Sequence, residues 1–305
     1  MSYLKQVKKA TPQAPVLTIV GFPGVGKSTL GALFPNPIFV QAENATSVFE
    51  TWPEEKQPDF FPELPAPNAK RKLKPSEVLI AQLRDLATEE HDFKTVIVDA
   101  VTTLNTLFEQ EVIEFDANGA ENIGEAAGGF GKGYLQVAAL HSKVRNACEH
   151  LRRRGIAVVF LAHSGIAKVK NRPDVEAYST WSLDMHEASR KIYVATSDAV
   201  LYLKAREFVM GGEKDKKGNV KSYGRVTNTG ERVLISSSDG TIGYVDAKNR
   251  YKLPEEMDVP EGENPVLQYI PFFNQGAQPA PTASEAGEPE NDGVNASEDN
   301  QAEEA

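Results

Sequence analysis

Four short stretches of the chain are apolar at almost every position, and each is followed by glycine or polar residues. They are APVLTIV, PIFV, VIV at 96–98 and GIAVVFLAHS. Uninterrupted runs of this kind are typical of strands covered on both faces, as in a parallel sheet. Segments with helical spacing, such as LGALF and LQVAALHSKVRNACEHL, separate them. The pattern therefore predicts an α/β fold, with a mostly parallel central sheet flanked by helices.

Further along, FVM and KSYGRVT flank a KKGN turn and predict a hairpin, hence antiparallel strands toward the C-terminus. Composition then divides the 305 residues into an N-terminal extension (1–14), one core domain (15–275) and a disordered tail (276–305). The tail has eight acidic residues, no Lys or Arg, and too few apolar side chains to order itself. Taking these eight charges from the net charge of −10 leaves −2, so the core can still carry local basic patches that bind phosphate.

The sequence has no feature that predicts a membrane or a metal cluster of cysteines. No apolar run approaches the roughly 20 residues of a membrane-spanning helix, and the first residues, MSYLKQVKKATPQAP, lack the apolar core of a secretory signal. We therefore expect a cytoplasmic protein with no membrane partner. The single cysteine, Cys148, excludes an internal disulfide and is expected to be a small buried hydrophobe.

The segment GFPGVGKSTL follows the first apolar run at once and precedes a helical pattern. Its spacing matches G-x-x-x-x-G-K-[ST], in which backbone NH groups turn inward around phosphates, the lysine reaches the β and γ oxygens, and the hydroxyl ligates magnesium. A glycine-rich turn beside an exposed lysine is the alternative, but the strand before and the helix after favour a site for ATP and Mg²⁺. The predicted nucleotide-binding residues are Gly21, Phe22, Pro23, Gly24, Val25, Gly26, Lys27, Ser28 and Thr29.

Polar residues with suitable chemistry follow three other strands. Asp99 comes directly after VIV, where it can join Ser28 in holding magnesium; capping of the next helix is the alternative. Glu43 follows PIFV, and because ligands of open α/β sheets lie at the carboxyl ends of strands, it can polarise the water that attacks the γ-phosphate. The fourth strand is predicted to end at His163 and Ser164. His163 can hydrogen-bond the terminal phosphate, or be a structural histidine.

In this order the segments resemble the RecA-like ATPase core and, within it, the phage nucleotide-binding proteins that act as single-strand annealing recombinases. The resemblance runs from about residue 16 to 254. FVQAENA resembles the segment with the catalytic glutamate of RecA, which implies that role for Glu43, and VIVDAVTTL resembles its Walker B strand, which implies that role for Asp99. His163 lies where RecA has a phosphate-sensing glutamine. The resemblance implies a RecA-like P-loop NTPase with ATP, Mg²⁺ and single-stranded DNA as ligands.

AKNRYKLP, residues 247–254, is similar to a lysine-asparagine-lysine segment of RecA and to the KNRFG motif of the bacterial RadA repair proteins. In an extended chain Lys248 and Arg250 point the same way and Asn249 the opposite way. The resemblance implies that both cations act catalytically on the γ-phosphate of a neighbouring subunit, and that identical subunits form a ring or filament. Such a cation raises the rate of phosphoryl transfer by about 10³ to 10⁵. Two solvated cations on an edge strand are the alternative.

Two segments are expected to contact single-stranded DNA. The first, residues 116–134 (DANGAENIGEAAGGFGKGY), is too rich in glycine for regular structure and lies in the place of the family's first DNA-facing loop. Its side chains that can contact the DNA backbone or a base are Phe130, Lys132 and Tyr134. Residues 164–186 lie in the place of the second loop. Single strands are bound by cations for phosphates and aromatic faces for bases; a hairpin whose Trp181 packs into the core is the alternative. The predicted DNA-binding residues are Lys132, Lys168, Lys170, Arg172, Tyr178 and Trp181.

The function that these features favour is ATP-dependent binding and annealing of single-stranded DNA in phage recombination or replication, in the host cytoplasm. The segments flanking the core are too short for the additional domains of bacterial RecA, which favours annealing over strand exchange. The acidic tail can compete with DNA for the cationic loops or bind a single-strand-binding protein. A stand-alone P-loop kinase and a nucleotide-switched replication scaffold with little turnover are the alternatives.

Overall fold

The computed structural model describes residues 13–44, 46–169, 178–211, 213–214, 220–222, 225–237 and 245–274. The strands are β1 (Val16–Gly21), β2 (Pro37–Gln41), β3 (Asp59–Phe60), β4 (Thr95–Asp99), β5 (Ala157–Val169), β6 (Tyr178–Leu183), β7 (Ala199–Met210), β8 (Glu213–Lys214), β9 (Val220–Ser222), β10 (Arg225–Ile235), β11 (Lys248–Asn249) and β12 (Glu256–Asp258). The α-helices are α1 (Lys27–Ala32), α2 (Pro75–Thr88), α3 (Val101–Glu114), α4 (Lys132–Arg153) and α5 (Glu187–Thr196). Short 3-10 helices cover Thr46–Phe49, Glu54–Lys56, Ala126–Gly128 and Pro265–Gln268.

Ten of the described strands form one sheet, in the order β12-β10-β7-β1-β5-β4-β2-β3, with β11 beside β7 and β6 beside β5. The strands from β7 to β3 in this order are parallel. Strands β10, β12, β11 and β6 join it in antiparallel fashion. The predicted fold class, α/β with a mostly parallel central sheet, flanking helices and antiparallel strands toward the C-terminus, is confirmed.

Each face of the sheet packs against its own set of helices, which explains why the central strands have no polar face. Val16 and Val20 of β1 join a cluster with apolar residues of α2, α3, α4 and α5, whereas Leu17 and Ile19 point the other way, into a cluster with α1. Burial of apolar surface on both faces is the main favourable term for such a core. Cys148 of α4 is fully buried there, as predicted, and burial raises the pKa of its thiol to about 12.

The parallel strands bring their carboxyl ends to one edge of the sheet, here called the carboxyl edge. In the register of the strands, Gly21 at the end of β1 is opposite His163 of β5, and Gln41 at the end of β2 is opposite Asp99 of β4. The P-loop and the segment with Glu43 leave the sheet at the same edge, directly after β1 and β2. Residues that are far apart in sequence are therefore neighbours here.

The prediction that the fourth strand ends at His163 and Ser164 is wrong. β5 continues to Val169, and its outer part pairs with β6, from Ser164 opposite Leu183 to Val169 opposite Tyr178. Residues 164–169 and β6 together form a two-stranded arm. The physical reason is that backbone NH and CO groups need new partners where the parallel neighbours end, and β6 supplies them.

Two predictions concern the ends of the chain. Residues 1–12 of the N-terminal extension and the whole of the acidic tail, 276–305, lie outside the described residues, and what was predicted for them stays a prediction. Among the residues that are described, no helix combines the length and the apolar character that a membrane crossing requires.

Candidate nucleotide-binding and catalytic site

The loop between β1 and α1 depends on two glycines with left-handed backbone conformation. Gly24 has φ of 76° and Gly26 has φ of 94°, values that residues with a Cβ rarely adopt. Gly26 also accepts the first helical hydrogen bond, from the NH of Leu30 at 3.0 Å, so that α1 begins at Lys27. Strand, loop and helix thus follow one another as the sequence predicts, and the loop is held open toward the carboxyl edge.

Lys27 is buried, with only 5% of its surface exposed, and the alternative of a turn beside an exposed lysine is therefore wrong. Its Nζ donates to the carbonyls of Gly21 at 3.1 Å and Phe22 at 3.0 Å, and lies 3.3 Å from Nδ1 of His163. Burial lowers the pKa of this lysine, and the nearby carboxylates of Asp99 and Glu43 oppose that shift. The ammonium group lies at the centre of the carboxyl edge, where it can pair with an anion.

Ser28 and Asp99 lie together as a pair of oxygen ligands. Ser28 Oγ donates to Asp99 Oδ2 at 2.5 Å, while Asp99 Oδ1 is buried and has no hydrogen-bond partner among the described residues. Burial raises the pKa of Asp99, which the hydrogen bond from Ser28 partly offsets. Mg²⁺ prefers a few protein oxygens and keeps its remaining positions for water and phosphate, so this pair fits it. Ala100, not Asp99, is the N-cap of α3, so the helix-cap alternative is wrong.

Glu43 is held by two side chains that belong to different elements. Its Oε2 accepts a hydrogen bond from Thr103 Oγ1 at 2.7 Å and lies 3.4 Å from His163 Nε2. The hydrogen bond to His163 is the main cause that lowers the pKa of Glu43; burial opposes it, and the bond from Thr103 and the charge of Lys27 add to it. A carboxylate kept ionised in this way can accept a proton from a neighbouring water.

His163 lies between the two charged partners of the site. Its Nδ1 faces Lys27 and its Nε2 faces Glu43, so that one ring connects the lysine of the loop to the carboxylate after β2. Its backbone NH donates to Thr102 Oγ1 at 3.1 Å. The histidine is therefore in contact with both charged groups of the site and belongs to the strand that continues into the arm.

Sequence reasoning missed Thr102 and Thr103, the hydroxyl residues in the first turn of α3 that fix His163 and Glu43. The segment VIVDAVTTL could have pointed to them, because two threonines so soon after a strand fall in the first turn of the next helix. Side chains there are still close to the carboxyl end of the strand. Neither residue had a partner that the sequence alone could name.

The structure places Lys248 and Arg250 at the opposite edge of the sheet from the P-loop. Lys248 and Asn249 of β11 pair with Val200 and Ala199, the first residues of β7. Lys248 Nζ donates to the carbonyl of Ala195 at 2.6 Å at the end of α5, and burial lowers its pKa. Within one protomer the two cations therefore do not meet the phosphate loop.

Arg250 is less constrained than Lys248. Its Nη1 lies 3.2 Å from Asp198 Oδ1, and its side chain is 58% exposed. Asp198 is shared, since its Oδ2 also pairs with Arg152 at 3.0 Å and accepts from the NH of Val16. Action of Lys248 and Arg250 on a neighbouring subunit stays a prediction.

Of the predicted DNA-binding residues in the first loop, Lys132 is exposed at the first position of α4. Phe130, two residues earlier, is 99% exposed. Tyr134 instead stacks on His186, with ring centroids 4.2 Å apart and planes 11° apart. Residues 116–131 contain one 3-10 turn, Ala126–Gly128, and no other helix or strand, as predicted, but the predicted irregular segment does not reach residue 134, because α4 begins at Lys132.

The predicted residues of the second loop are only partly described. Trp181 of β6 is half-buried against the core and meets Phe22 of the P-loop edge-on, with centroids 5.0 Å apart. This is the alternative in which the tryptophan packs inward. Lys168 and Tyr178 belong to the backbone of the arm, but the structure does not describe their side chains. Lys170 and Arg172 lie outside the described residues altogether.

Comparison with known proteins gives a family. A search among curated proteins gave no match. Among solved structures, the chain is similar to a KaiC-like protein from the hyperthermophilic archaeon Pyrococcus horikoshii OT3, with 10% identity, a TM-score of 0.37, and coverage of 74% of this chain and 79% of that one. The family model described as "AAA domain" matches residues 13–251, which is most of the chain. The chain therefore belongs to the AAA domain family of P-loop NTPases.

Proposed function

We propose that the protein is an ATPase that binds single-stranded DNA and anneals complementary strands, and that its turnover is stimulated by DNA. The observation that supports the ATPase part is the meeting of Lys27, the Ser28–Asp99 pair and the Glu43–His163 pair at one edge of the sheet. These are the groups that phosphoryl transfer to water requires: a cation for the phosphates, oxygen ligands for a metal, and a base.

Each residue has a definable part in this chemistry. Lys27 pairs with phosphate oxygens: two of its ammonium protons go to the carbonyls of Gly21 and Phe22, and the third, which faces His163 Nδ1 at 3.3 Å, can turn to a phosphate oxygen. Ser28 and Asp99 would hold Mg²⁺, which when bound neutralises charge on the phosphates. Glu43 orients a water and accepts its proton, and its lowered pKa keeps it ionised at neutral pH. Thr103 and His163 position Glu43.

The DNA part of the proposal is supported by two exposed side chains at the start of α4. Phe130 is an exposed aromatic ring two residues before Lys132, which is an exposed cation at the first position of the helix. This is the combination that binds single strands, with the ring stacking on a base and the cation pairing with a phosphate.

The experiment that tests the proposal measures ATP hydrolysis by the full-length protein with and without a single-stranded oligonucleotide. We expect stimulation by DNA, and loss of both basal and stimulated turnover in Lys27→Ala. A matched control is Lys94→Ala, which changes an exposed lysine directly before β4, at the end of the strand that lies away from the carboxyl edge. Annealing is measured separately with two complementary labelled strands. Hydrolysis that does not change with DNA, combined with phosphate transfer to a small acceptor, would support a kinase instead.

A further inference from the structure

Arg232 reaches the P-loop from β10, a strand with no part in the site described above. β10 is antiparallel to β7, and Arg232 is opposite Ala205. Side chains two positions apart share a face of a sheet, so Arg232 lies on the face of Leu234, which is buried in the cluster with α1. A Cβ built on Gly26 would overlap Nη1 of Arg232. The guanidinium group therefore lies against the loop residue directly before Lys27.

The guanidinium of Arg232 has no ion-pair or hydrogen-bond partner among the described residues. Its neighbour in the sheet is different: Arg206 of β7 pairs with Glu256 at 2.8 Å and with Asp258 at 2.5 Å. Arg232 is nevertheless half-buried. A partly desolvated cation without an anion is costly, and its position beside a phosphate-binding loop identifies the kind of anion that would offset this cost.

A cavity of about 750 Å³ opens next to Arg232. One wall is Thr29, the residue after Ser28. The other walls are Arg206 of β7, residues 229–232 of β10, where the pairing register with β7 is irregular, and residues 258–261 at and after the end of β12. Pockets for small ligands have about 300–1,000 Å³, so a nucleoside fits this volume. Because Thr29 follows Ser28 directly and Arg232 lies against Gly26, and both line the cavity, one ligand can contact the loop and the cavity at once.

We propose that Arg232 binds a phosphate of the nucleotide within the same protomer, and that the adjoining cavity receives the nucleoside. This inference rests on the proposed function, since it assumes a nucleotide at the P-loop. Backbone NH groups of such a loop surround the α- and β-phosphates, and Arg232 lies against one of these backbone positions, Gly26. It therefore contacts phosphates that ADP and ATP have in common.

Arg232 and Arg250 differ in the subunit whose nucleotide they are expected to contact. Arg250 is expected to act on the γ-phosphate bound by a neighbouring subunit, so its loss should lower the rate of hydrolysis, and only in the assembled protein. Arg232 acts in its own subunit, so its loss weakens binding of ADP as well as ATP, and does so at every protein concentration. The antiparallel strands toward the C-terminus thus become part of the nucleotide site.

The test is an equilibrium titration of the full-length protein with fluorescently labelled ADP and ATP in the presence of Mg²⁺. Hydrogen bonds to charged groups contribute enough for Arg232→Ala to weaken the affinity for both nucleotides by about tenfold or more. Arg232→Lys is expected to recover part of the loss. Arg225→Ala is the matched control, because it removes an exposed arginine from the same strand, seven positions away from Arg232.

Unchanged affinity for ADP in Arg232→Ala, while Lys27→Ala loses binding, would overturn the inference and leave the proposed function standing. A wild-type protein that binds neither nucleotide would instead overturn the proposed function itself. Thermal melting and circular dichroism of each variant show whether the fold is retained, and if Arg232→Ala does not fold, the comparison of Arg232→Lys and Arg225→Ala decides the question.

Discussion

Burial and one hydrogen bond are the main causes that shift the pKa values of the charged side chains at the carboxyl edge. Lys27 is buried and its pKa is lowered, yet Asp99 and Glu43 keep a cation favourable there. Asp99 is buried too, and its pKa is raised, whereas Glu43 is more accessible and its pKa is lowered, chiefly by His163. Two carboxylates in one site thus have pKa values shifted in opposite directions, and Glu43, the one with the lowered pKa, is the one proposed to accept a proton.

Replacement of His163 by Ala tests this assignment through the pH dependence of hydrolysis. Glu43 acts as a base only when ionised, and its lowered pKa keeps activity as the pH falls toward that value. Without His163 the main cause of the lowering is gone and the pKa of Glu43 rises. We expect the acidic limb of the kcat/KM profile to move to higher pH. His163→Gln, which retains a hydrogen-bonding group, should move the limb less. An acidic limb in the same place for both variants would show that Glu43 does not carry the proton.

At the scale of elements, two segments connect the site to the surface proposed for DNA. β5 contains His163 and continues as one edge of the arm. α3 begins next to Glu43, through Thr103, and leads into the segment that ends with Phe130. Of the two, β5 is one continuous strand from His163 into the arm, whereas α3 is joined to Phe130 by residues that form no helix or strand apart from the 3-10 turn Ala126–Gly128.

Replacement of Phe130 by Ala is expected to weaken binding of a single-stranded oligonucleotide roughly 5- to 150-fold, because a stacked base contributes about 1 to 3 kcal/mol. Lys132→Ala should weaken binding across sequences and reduce the slope of log affinity against log salt by about one. Fluorescence anisotropy at several salt concentrations measures both. The control is Leu135→Ala, which removes an apolar side chain that is also exposed, at 63% against 99% for Phe130, but has no aromatic face. Equal losses for Leu135→Ala and Phe130→Ala would argue against stacking.

At the scale of the whole molecule, the loop and the cations Lys248 and Arg250 lie at opposite edges of one sheet. They can act on the same nucleotide only if the carboxyl edge of one subunit faces the other edge of the next. Such a head-to-tail contact generates a ring or a filament. Assembly and hydrolysis would then be coupled, because each site is incomplete without its neighbour.

Mixing of two inactive variants tests this arrangement. Arg250→Ala is expected to lower turnover by about 10³-fold or more, and Glu43→Gln to abolish it. In an equimolar mixture, about one quarter of random head-to-tail contacts combine an intact Glu43 with an intact Arg250. Turnover should therefore recover to about that fraction of wild type. A mixture as inactive as its two components would exclude action across the boundary, as would full activity of Arg250→Ala alone.

Local patterns in the sequence were enough to predict the central strands, the P-loop and the polar residues at the strand ends, because these features depend on residues that are close together in the chain. Continuous apolar runs predicted the central strands, because burial on both faces leaves no place for polar residues. The P-loop was predictable because its glycines must adopt conformations closed to other residues, as Gly24 and Gly26 do. Asp99 and Glu43 were found from their positions after strands, since topology alone brings those ends together.

Only the tertiary structure decided the contacts between residues that no pattern relates. The residues that flank Thr103 in the sequence do not indicate its contact with Glu43, and those that flank Arg232 do not indicate its contact with Gly26. Each contact results from the packing and pairing of segments that are distant in sequence. The arm beyond His163 was missed because a strand's end depends on where its partners end, and β6 begins after a connection that the apolar pattern does not reveal. The sequence by itself determined the element types and the chemistry of the loop, while the pairing of strands determined which side chains complete it.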